Sequence, residues 1–580
     1  MQYQFVMTEA RNGALTLRCG DKWLHSSYNP VGEGERWAAE ISCQPGDTLI
    51  VLGIGLGYHL TALVQKVEGI KIIAIEPVKE LFNYCSSAPS FKKLEGEINI
   101  FYHDQPLKNY LIALIDQYCL EKVKVIEYKP LERLFPKEFL EYRREINDIL
   151  FSLLCSVNTA LRFSASWTRN FFVNLPKVLT AIPAKSFYGL FQGKPGIIVS
   201  AGPSLSKNVG LLKEIKGKAV ILTVGTALKP VLAAGVKPDI GVSIDGAEAN
   251  FRHFEGLDTR EFPLLFDPII YPRILDEYQG YLIASIFFEA FQVWLQSLSY
   301  PNPGRVQMGP SVANYAFDFA LKLGLDPIIF IGQDLAFTGG HTHARGTVYE
   351  NRELPKEKSL LLEIEGFYGD KVITDRSLHA MLQYLETQIA MTANGRRIIN
   401  ATEGGARIKG TEAMTLRQAI DTYCQEQFDP ETKIKEICSS SQPFNKITPR
   451  EMTEKIKAEK AVMEKALKIC RTGERLAKDL ELAFTSKIPS QQQVNKILKR
   501  LDKVDAEINN LRKELLPVAM VFQPVWFQLN KGPFSRPEAE WRAEGLRLAK
   551  KSLLLYQGLA EGIDIVQDAM VQAAERLSSV

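Results

Sequence analysis

The sequence lacks most of what a metal-built or disulfide-built protein needs. Its eight cysteines stand at 19, 43, 85, 119, 155, 424, 438 and 470, and none forms a Cys-x-x-Cys pair or joins a histidine cluster. That spacing argues against a zinc site or a disulfide framework. Scattered free thiols fit a reducing compartment. There is no charge excess either: 70 Lys and Arg stand against 67 Asp and Glu, a formal net charge of +3. Without a basic field or a strong local patch, nucleic acid is not an expected partner. The opening "MQYQFVMTEARNG" has no charged segment followed by an apolar one, so no signal peptide is expected. No window is read as approaching the roughly 18 apolar residues of a membrane span. Together these absences point to the cytoplasm.

What is present is an ordinary globular composition, 46% hydrophobic and 24% charged over 580 residues. That length accommodates several cores. The first 40 residues read as a β-rich lead-in, with alternation in "GALTLRCGDKWLHSSYNP" broken by Gly, Asn and Pro. "DTLIVLGIGLGYHLTALVQ" then runs a strand into Gly53, Gly55 and Gly57 and on into a helix, and "KIIAIEP" ends a second strand at Glu76. This is a βαβ unit with a glycine-rich first turn. Residues 1–130 are therefore assigned to a lead-in and a Rossmann-like domain, and 131–190 to a helical connector. From Pro195, six apolar runs ("GIIVSA", "AVILTV", "DIGVSID", "PLLF", "YLIASIFF", "PIIFIG") alternate largely with helical stretches. That alternation predicts a parallel sheet covered on both faces, over 191–410. Beyond 410 the strands vanish. Val494, Leu498, Leu501, Val504, Ile508, Leu511 and Leu515 recur at steps of three and four between Pro489 and Pro517, one apolar stripe on a long helix. Residues 411–580 are expected to form a helical bundle or an antiparallel hairpin. The fold class is thus α/β, with two tandem Rossmann-like domains and a helical C-terminal domain.

The chemistry concentrates at the strand ends of the central domain, where open α/β sheets bind ligands. Ser200-Ala201-Gly202-Pro203-Ser204 ends the first strand and opens a helix. Gly202 leaves the backbone approachable, Pro203 presets the helical φ, and Ser204 adds a hydroxyl beside free N–H groups that attract anions. The alternative is a plain tight turn capped by serine. Thr226, Ser243, Asp245, Asp267, Gln333 and Asp334 stand at or just beyond other strand ends; Asp245 and Asp334 could simply cap the turns that follow. Gly309-Pro310-Ser311 repeats the Gly-Pro-Ser logic at a second helix start, either facing the same nucleotide or merely opening the helix. In "FTGGHTHARG", His341 and His343 stand two apart in a glycine-rich loop. His343 is the preferred general base for an acceptor hydroxyl. An exposed loop histidine and a metal ligand are the alternatives, and Asp334 alone does not complete a metal site. Arg345 could hold a carboxylate or phosphate.

"IIVSAGPSL", "KPDIGVSIDG", "MGPSVANYAFDFALKLGLDPIIFIGQDLAF" and the following "THA" resemble the central domain of the motility accessory factors, the Maf flagellin glycosyltransferases. The likeness is strong over about 190–350, and the three-part layout agrees with it. That central domain is similar to small bacterial sialyltransferases of GT-A-like fold. The resemblance implies that Gly202, Pro203, Ser204, Gly309 and Ser311 meet a nucleotide, that Gln333 and Asp334 lie near the donor, and that His343 is catalytic by its order along the chain. It implies transfer of a pseudaminic or legionaminic type nonulosonic acid from a CMP-activated donor to Ser or Thr of flagellin, with inversion at the anomeric carbon. Asp334 joins His343 as an expected catalytic residue. Thr226, Ser243, Asp245 and Arg345 complete the expected nucleotide-sugar site, with no metal ligand set assigned.

The N-terminal Gly53, Gly55, Gly57 and Glu76 resemble the first turn of a class I S-adenosylmethionine methyltransferase, although no catalytic motif follows; a vestigial or acceptor-handling domain is the favoured reading. Two other readings remain for the whole chain. One is an archaeal pterin diphosphokinase-like enzyme, with ATP and Mg²⁺ at Gly202 and with Asp245 and Asp334 as metal ligands. The other is a flagellin-binding protein without catalysis. The helical stripe either closes an intramolecular bundle or receives flagellin or another subunit.

Overall fold

The computed structural model describes residues 3–352, 357, 361–440, 447–486, 490–531, 534 and 538–579. Pro489, expected to bound the long helix, lies outside them. The chain divides into two compact units: 1–161 with 477–495 and 524–555, and 162–476 with 496–523 and 556–580.

In the first unit, β1 (Phe5–Glu9), β2 (Leu15–Cys19) and β3 (Lys22–Trp23) form a small antiparallel sheet. β4 (Thr48–Leu52), β5 (Lys71–Ile75), β6 (Asn99–Ile100) and β7 (Val123–Glu127) form a parallel sheet in the order β6-β5-β4-β7. The lead-in and the glycine-turn βαβ unit are thus both present. The last four residues of β4 and of β5 are buried, as continuous apolar runs covered on both faces should be.

The second unit is built on a nine-stranded parallel sheet in the order β18-β17-β14-β9-β10-β11-β12-β13-β8. Its strands are β8 (Ile182–Pro183), β9 (Gly196–Val199), β10 (Val220–Val224), β11 (Ile240–Ser243), β12 (Leu264–Phe266), β13 (Leu282–Ala284) and β14 (Ile328–Ile331), then β17 (Ile398–Asn400) and β18 (Glu412–Ala413). The hairpin of β15 (Leu361–Glu365) and β16 (Lys371–Asp375) stands between β14 and β17 in the chain. The six expected strands are β9 to β14. The sheet separates two cores, and β12 shows how. Leu265 points into a core with the helix Val312–Leu323, while Leu264 and Phe266 point into another with Met452, Met463, Ile563 and Val566. Alternate residues of one strand thus serve opposite faces.

Two sequence readings change. The helix Gln491–Asn510 buries Val494, Ile497, Leu501 and Val504, whereas Leu498 is exposed. The inward stripe therefore passes through Ile497, and the helix stops before Leu511 and Leu515. The helix Pro136–Val173 is also long and apolar enough, by length and composition, to cross a membrane, where no such window was expected. Its last turns bury Ser164, Thr168 and Asn170, and Phe171 and Phe172 sit in the core of the second unit.

That same helix end positions the strand-end loops. Asn170 donates to the carbonyls of Gly246 and Ile269 at 3.0 and 2.9 Å, and Asn174 donates to those of Pro268 and Ile270 at 2.9 and 2.8 Å. These loops follow β11 and β12. Replacing Asn174 by Leu keeps the volume but strands two buried carbonyls. The expected cost is about 2–4 kcal/mol of stability. Urea unfolding of the full chain measures it; an unchanged midpoint would show that these bonds hold nothing.

Candidate functional site

The chain leaves β9 toward β10, β11, β12 and β13 on one side and returns through β14 to β17 and β18 on the other. β9 and β14 are therefore the switch point of the sheet, where ligand crevices form outside the carboxyl ends. Three loops meet there: Ser200–Ser204 after β9, Gly332–Thr338 after β14, and Ala401–Gly405 after β17.

Asp334 ties them together. Its carboxylate accepts from the Ser204 hydroxyl at 2.6 Å, the Ser204 N–H at 3.2 Å and the Thr338 hydroxyl at 2.5 Å. Its backbone carbonyl accepts from Ala406 N–H at 2.7 Å, and Gly202 N–H donates to the Gly332 carbonyl at 2.7 Å. A side chain at Gly202 would strike the Asp334 carboxylate and the Gly332 carbonyl; one at Gly405 would strike the Asp334 backbone. Gly202 is thus required by loop-on-loop contact, not by ligand approach as its position suggested. The helix that Ser204 opens is only Leu205–Asn208 before a 3-10 segment, Val209–Ile215. Its first N–H already faces the chain's own carboxylate. Burial raises the Asp334 pKa, opposed by the Ser204 and Thr338 bonds and by nearby Lys207. Asp334 holds the turn, and Pro203 lies half-buried within it.

The histidine loop is pinned beside this turn. Ala344 N–H donates to the Ala201 carbonyl at 2.9 Å, and Arg345 N–H to Ser206 Oγ at 3.1 Å. His341 and the Arg345 side chain are exposed, and His343 is half-buried. His343 Nδ1 lies 3.1 Å from Thr342 Oγ1, and its ring centroid is 5.3 Å from that of Tyr349. Burial, with Arg352 adding to it, lowers the His343 pKa, so its imidazole is neutral at pH 7. His253, which no motif singled out, meets the same tyrosine edge-on at 5.1 Å. A histidine in the loop after a strand that ends in Ser243-Ile244-Asp245 is the signal that could have found it.

The other expected residues are spread along the same edge. Thr226 is half-buried in the turn after β10. Ser243 is buried and accepts from Asn250 at 3.0 Å. Asp245 is exposed and caps its own turn, accepting from Ala247 N–H at 2.9 Å. Asp267 is buried, accepts from Ile269 and Phe287 N–H, and is pushed up to about 7 by burial. Ser311 caps the helix Val312–Leu323 in a capping box with Asn314, and a side chain at Gly309 would strike Asn314 and Tyr384. The second Gly-Pro-Ser is therefore a helix opening held by packing. The Oε1 of Gln333, the Oγ of Ser200 and the Oγ1 of Thr402 are buried without partners, at the ends of β14, β9 and β17. The sequence reading missed the Thr402-Glu403-Gly404-Gly405 loop, Lys207 and Thr338. Among the described residues, no three His, Cys, Asp or Glu side chains gather as metal ligands.

The N-terminal glycine turn is satisfied internally. Gly53, Gly55 and Gly57 take positive φ of 95°, 49° and 80°. Glu76 accepts from Ile54 and Gly55 N–H at 2.8 and 3.0 Å, and His25 Nε2 accepts from Leu56 N–H at 2.9 Å. Phe139, Leu131, His25 and Leu94 fill the space beside the glycines. These residues do not fit a nucleotide cofactor, whose phosphate or ribose would need the donors that Glu76 and His25 occupy.

Asp334→Ala is expected to cost about 3–5 kcal/mol, because it strands donors of Ser204 and Thr338 inside the fold. Chemical unfolding measures this. Unaltered stability with lost activity would instead make Asp334 a reacting group.

Comparison with known proteins follows the same two units. A family model described as "Glycosyltransferase Maf N-terminal domain" matches residues 27–107, and one described as "6-hydroxymethylpterin diphosphokinase MptE-like" matches 169–340. Two uncharacterized proteins of Treponema pallidum (strain Nichols) are similar. One is 24% identical over 255 residues (43% of this chain, 54% of the relative), the other 21% identical over 218 residues (37% and 74%). The matched region thus spans about half the length of the first. The structure of MAf glycosyltransferase from Magnetospirillum magneticum AMB-1 shares the fold, with a TM-score of 0.52, 15% identity, and coverage of 100% of this chain and 92% of that one. A match to a Maf N-terminal domain followed by a match to an MptE-like domain, on a fold shared with a MAf glycosyltransferase, is what the chain is similar to along its length.

Proposed function

We propose that the protein transfers a nonulosonic acid from a CMP-activated donor to serine or threonine hydroxyls of flagellin. The observation that carries this reading is the pinning of the His343 loop onto the switch-point turn through Ala344 N–H and the Ala201 carbonyl. A neutral imidazole thereby stands at the edge where nucleotide ligands of α/β sheets bind.

The chemistry follows from that placement. The acceptor oxygen attacks the anomeric carbon, the bond from that carbon to the phosphate oxygen breaks, and CMP leaves with the electron pair. His343 takes the hydroxyl proton as the new bond forms. One displacement of this kind inverts the anomeric centre. Gly202, Pro203, Ser204 and the Asp334 strut shape the wall, and Gln333 lies on its floor. Thr226, Ser243, Asp245, Gly309, Ser311 and Arg345 belong to the same edge as rim and second-wall groups.

A second reading, an ATP-dependent pterin diphosphokinase-like enzyme, draws on the MptE-like match. It needs Asp245 and Asp334 on one metal. They follow β11 and β14, three strand spacings apart in the sheet, about 14 Å. Asp334 is further committed to Ser204 and Thr338. This disfavours the second reading.

Incubation of flagellin with CMP-nonulosonic acids should add the sugar mass to flagellin in intact-protein mass spectrometry. Absence of transfer from every such donor, together with absence of CMP binding, would sink the proposal. His343→Ala should reduce transfer at least about 100-fold and leave CMP affinity unchanged. The direction of the His343 shift sets the pH response. Its folded pKa lies below 6.5, so the base is neutral above that value. The transfer rate should hold from pH 8 down to about 6.5 and fall only below it. A rate that already declines between pH 8 and 7 contradicts this.

A further inference from the structure

His253 ends the 3-10 turn Glu248–His253 that follows β11, and it is only 3% exposed. A buried imidazole ordinarily has its nitrogens bonded. Here neither ring nitrogen has a hydrogen-bond partner among the described residues, yet neither is among the sealed, unpartnered polar atoms. The His253 ring packs on the edge of Tyr349, whose ring also meets His343, so the three form one cluster at the carboxyl edge.

The charged side chains that bear on the two imidazoles are cations. Lys229, on the helix Leu228–Ala233 after β10, is close enough for its charge to bear on His253, and Arg352 does the same for His343. Neither cation forms an ion pair among the described residues. Of the nearby carboxylates, Glu350 accepts from Gly346 N–H and Asp245 caps its own turn. Burial, Lys229 and His343 hold the His253 pKa down to about 4, so its ring is uncharged at pH 7 and carries one N–H. An uncharged donor set before a cation suits an anion.

We propose that His253 binds the anionic group of the donor, its phosphate or the carboxylate of its sugar, through an imidazole N–H, with Lys229 behind it. This rests on the nucleotide-sugar reading above and adds a binding residue to it. His343 and His253 then divide the work across Tyr349, one taking a proton and the other holding the donor.

Calorimetric titration of the full chain with CMP and with CMP-nonulosonic acid tests it, on wild type, His253→Ala and His253→Asn. The alanine variant should bind at least tenfold more weakly, and asparagine, which keeps an N–H donor, should recover part of the loss. Steady-state transfer should show the loss in donor KM with kcat little changed. Weakening already seen with CMP assigns the phosphate, and weakening seen only with the intact donor assigns the carboxylate. Wild-type affinity for both ligands in His253→Ala overturns the proposal. So does an equal loss in both variants accompanied by a lowered Tm, which would make the residue structural. Wild-type protein that binds neither ligand overturns the donor reading itself, and this assignment with it.

Discussion

A single buried carboxylate organises the centre of the second unit. Asp334 receives two hydroxyls and one backbone N–H, from Ser204 in the loop after β9 and Thr338 in the loop after β14. Each such charge-assisted bond is worth about 1.5–3 kcal/mol. Together they hold the loops after β9 and β14 in one relation. The glycines at 202 and 405 follow from that bond set, because any side chain there would displace Asp334. The position of the histidine loop follows too, since it is fastened to the turn that Asp334 fixes.

The first unit applies the same device. Glu76, at the end of its second strand, accepts from the N–H groups of the glycine turn after the first. Both first turns look from sequence like anion cradles, and both are met by an acid of their own chain. In the first unit side chains also fill the space beside the glycines. In the second, the proposed donor site is displaced sideways. It runs from the turn along β10 and β11, where Thr226, Ser243, His253 and His343 lie and where Lys229 and Arg352 supply positive charge. A phosphate or carboxylate is better served there than at Ser204, whose N–H is already used.

Much of the architecture was legible in the sequence because buried parallel strands are short continuous apolar runs. The six runs from "GIIVSA" to "PIIFIG" became β9 to β14, and "DTLIVLGIGLG" became β4 and its turn. The two-residue strands β8 and β18 were not legible, since they pair only at the margins of a sheet that others define. The apolar stripe after Pro489 was read through Leu498, but the helix turns Ile497 inward and leaves Leu498 exposed. Two adjacent apolar residues satisfy the same spacing, and only tertiary contact chooses between them. For the candidate site, "GPSL" and "GQDLAF" fall just beyond the ends of β9 and β14. They did not reveal that Ser204 and Asp334 bind each other, because 130 residues separate them. His253 was invisible for the same reason: its meaning depends on Tyr349, which the fold brings to it from another loop.

The donor is proposed to sit at the carboxyl edge from the Asp334-held turn to the His253–Tyr349–His343 cluster, and not at the glycine turn of the first unit. Amide hydrogen exchange of the full chain, with and without CMP, tests this most directly. Slowed exchange is expected in 200–206, 248–254 and 341–349, with no change in 53–58. Protection confined to 53–58, with the second unit unaltered, would contradict this placement.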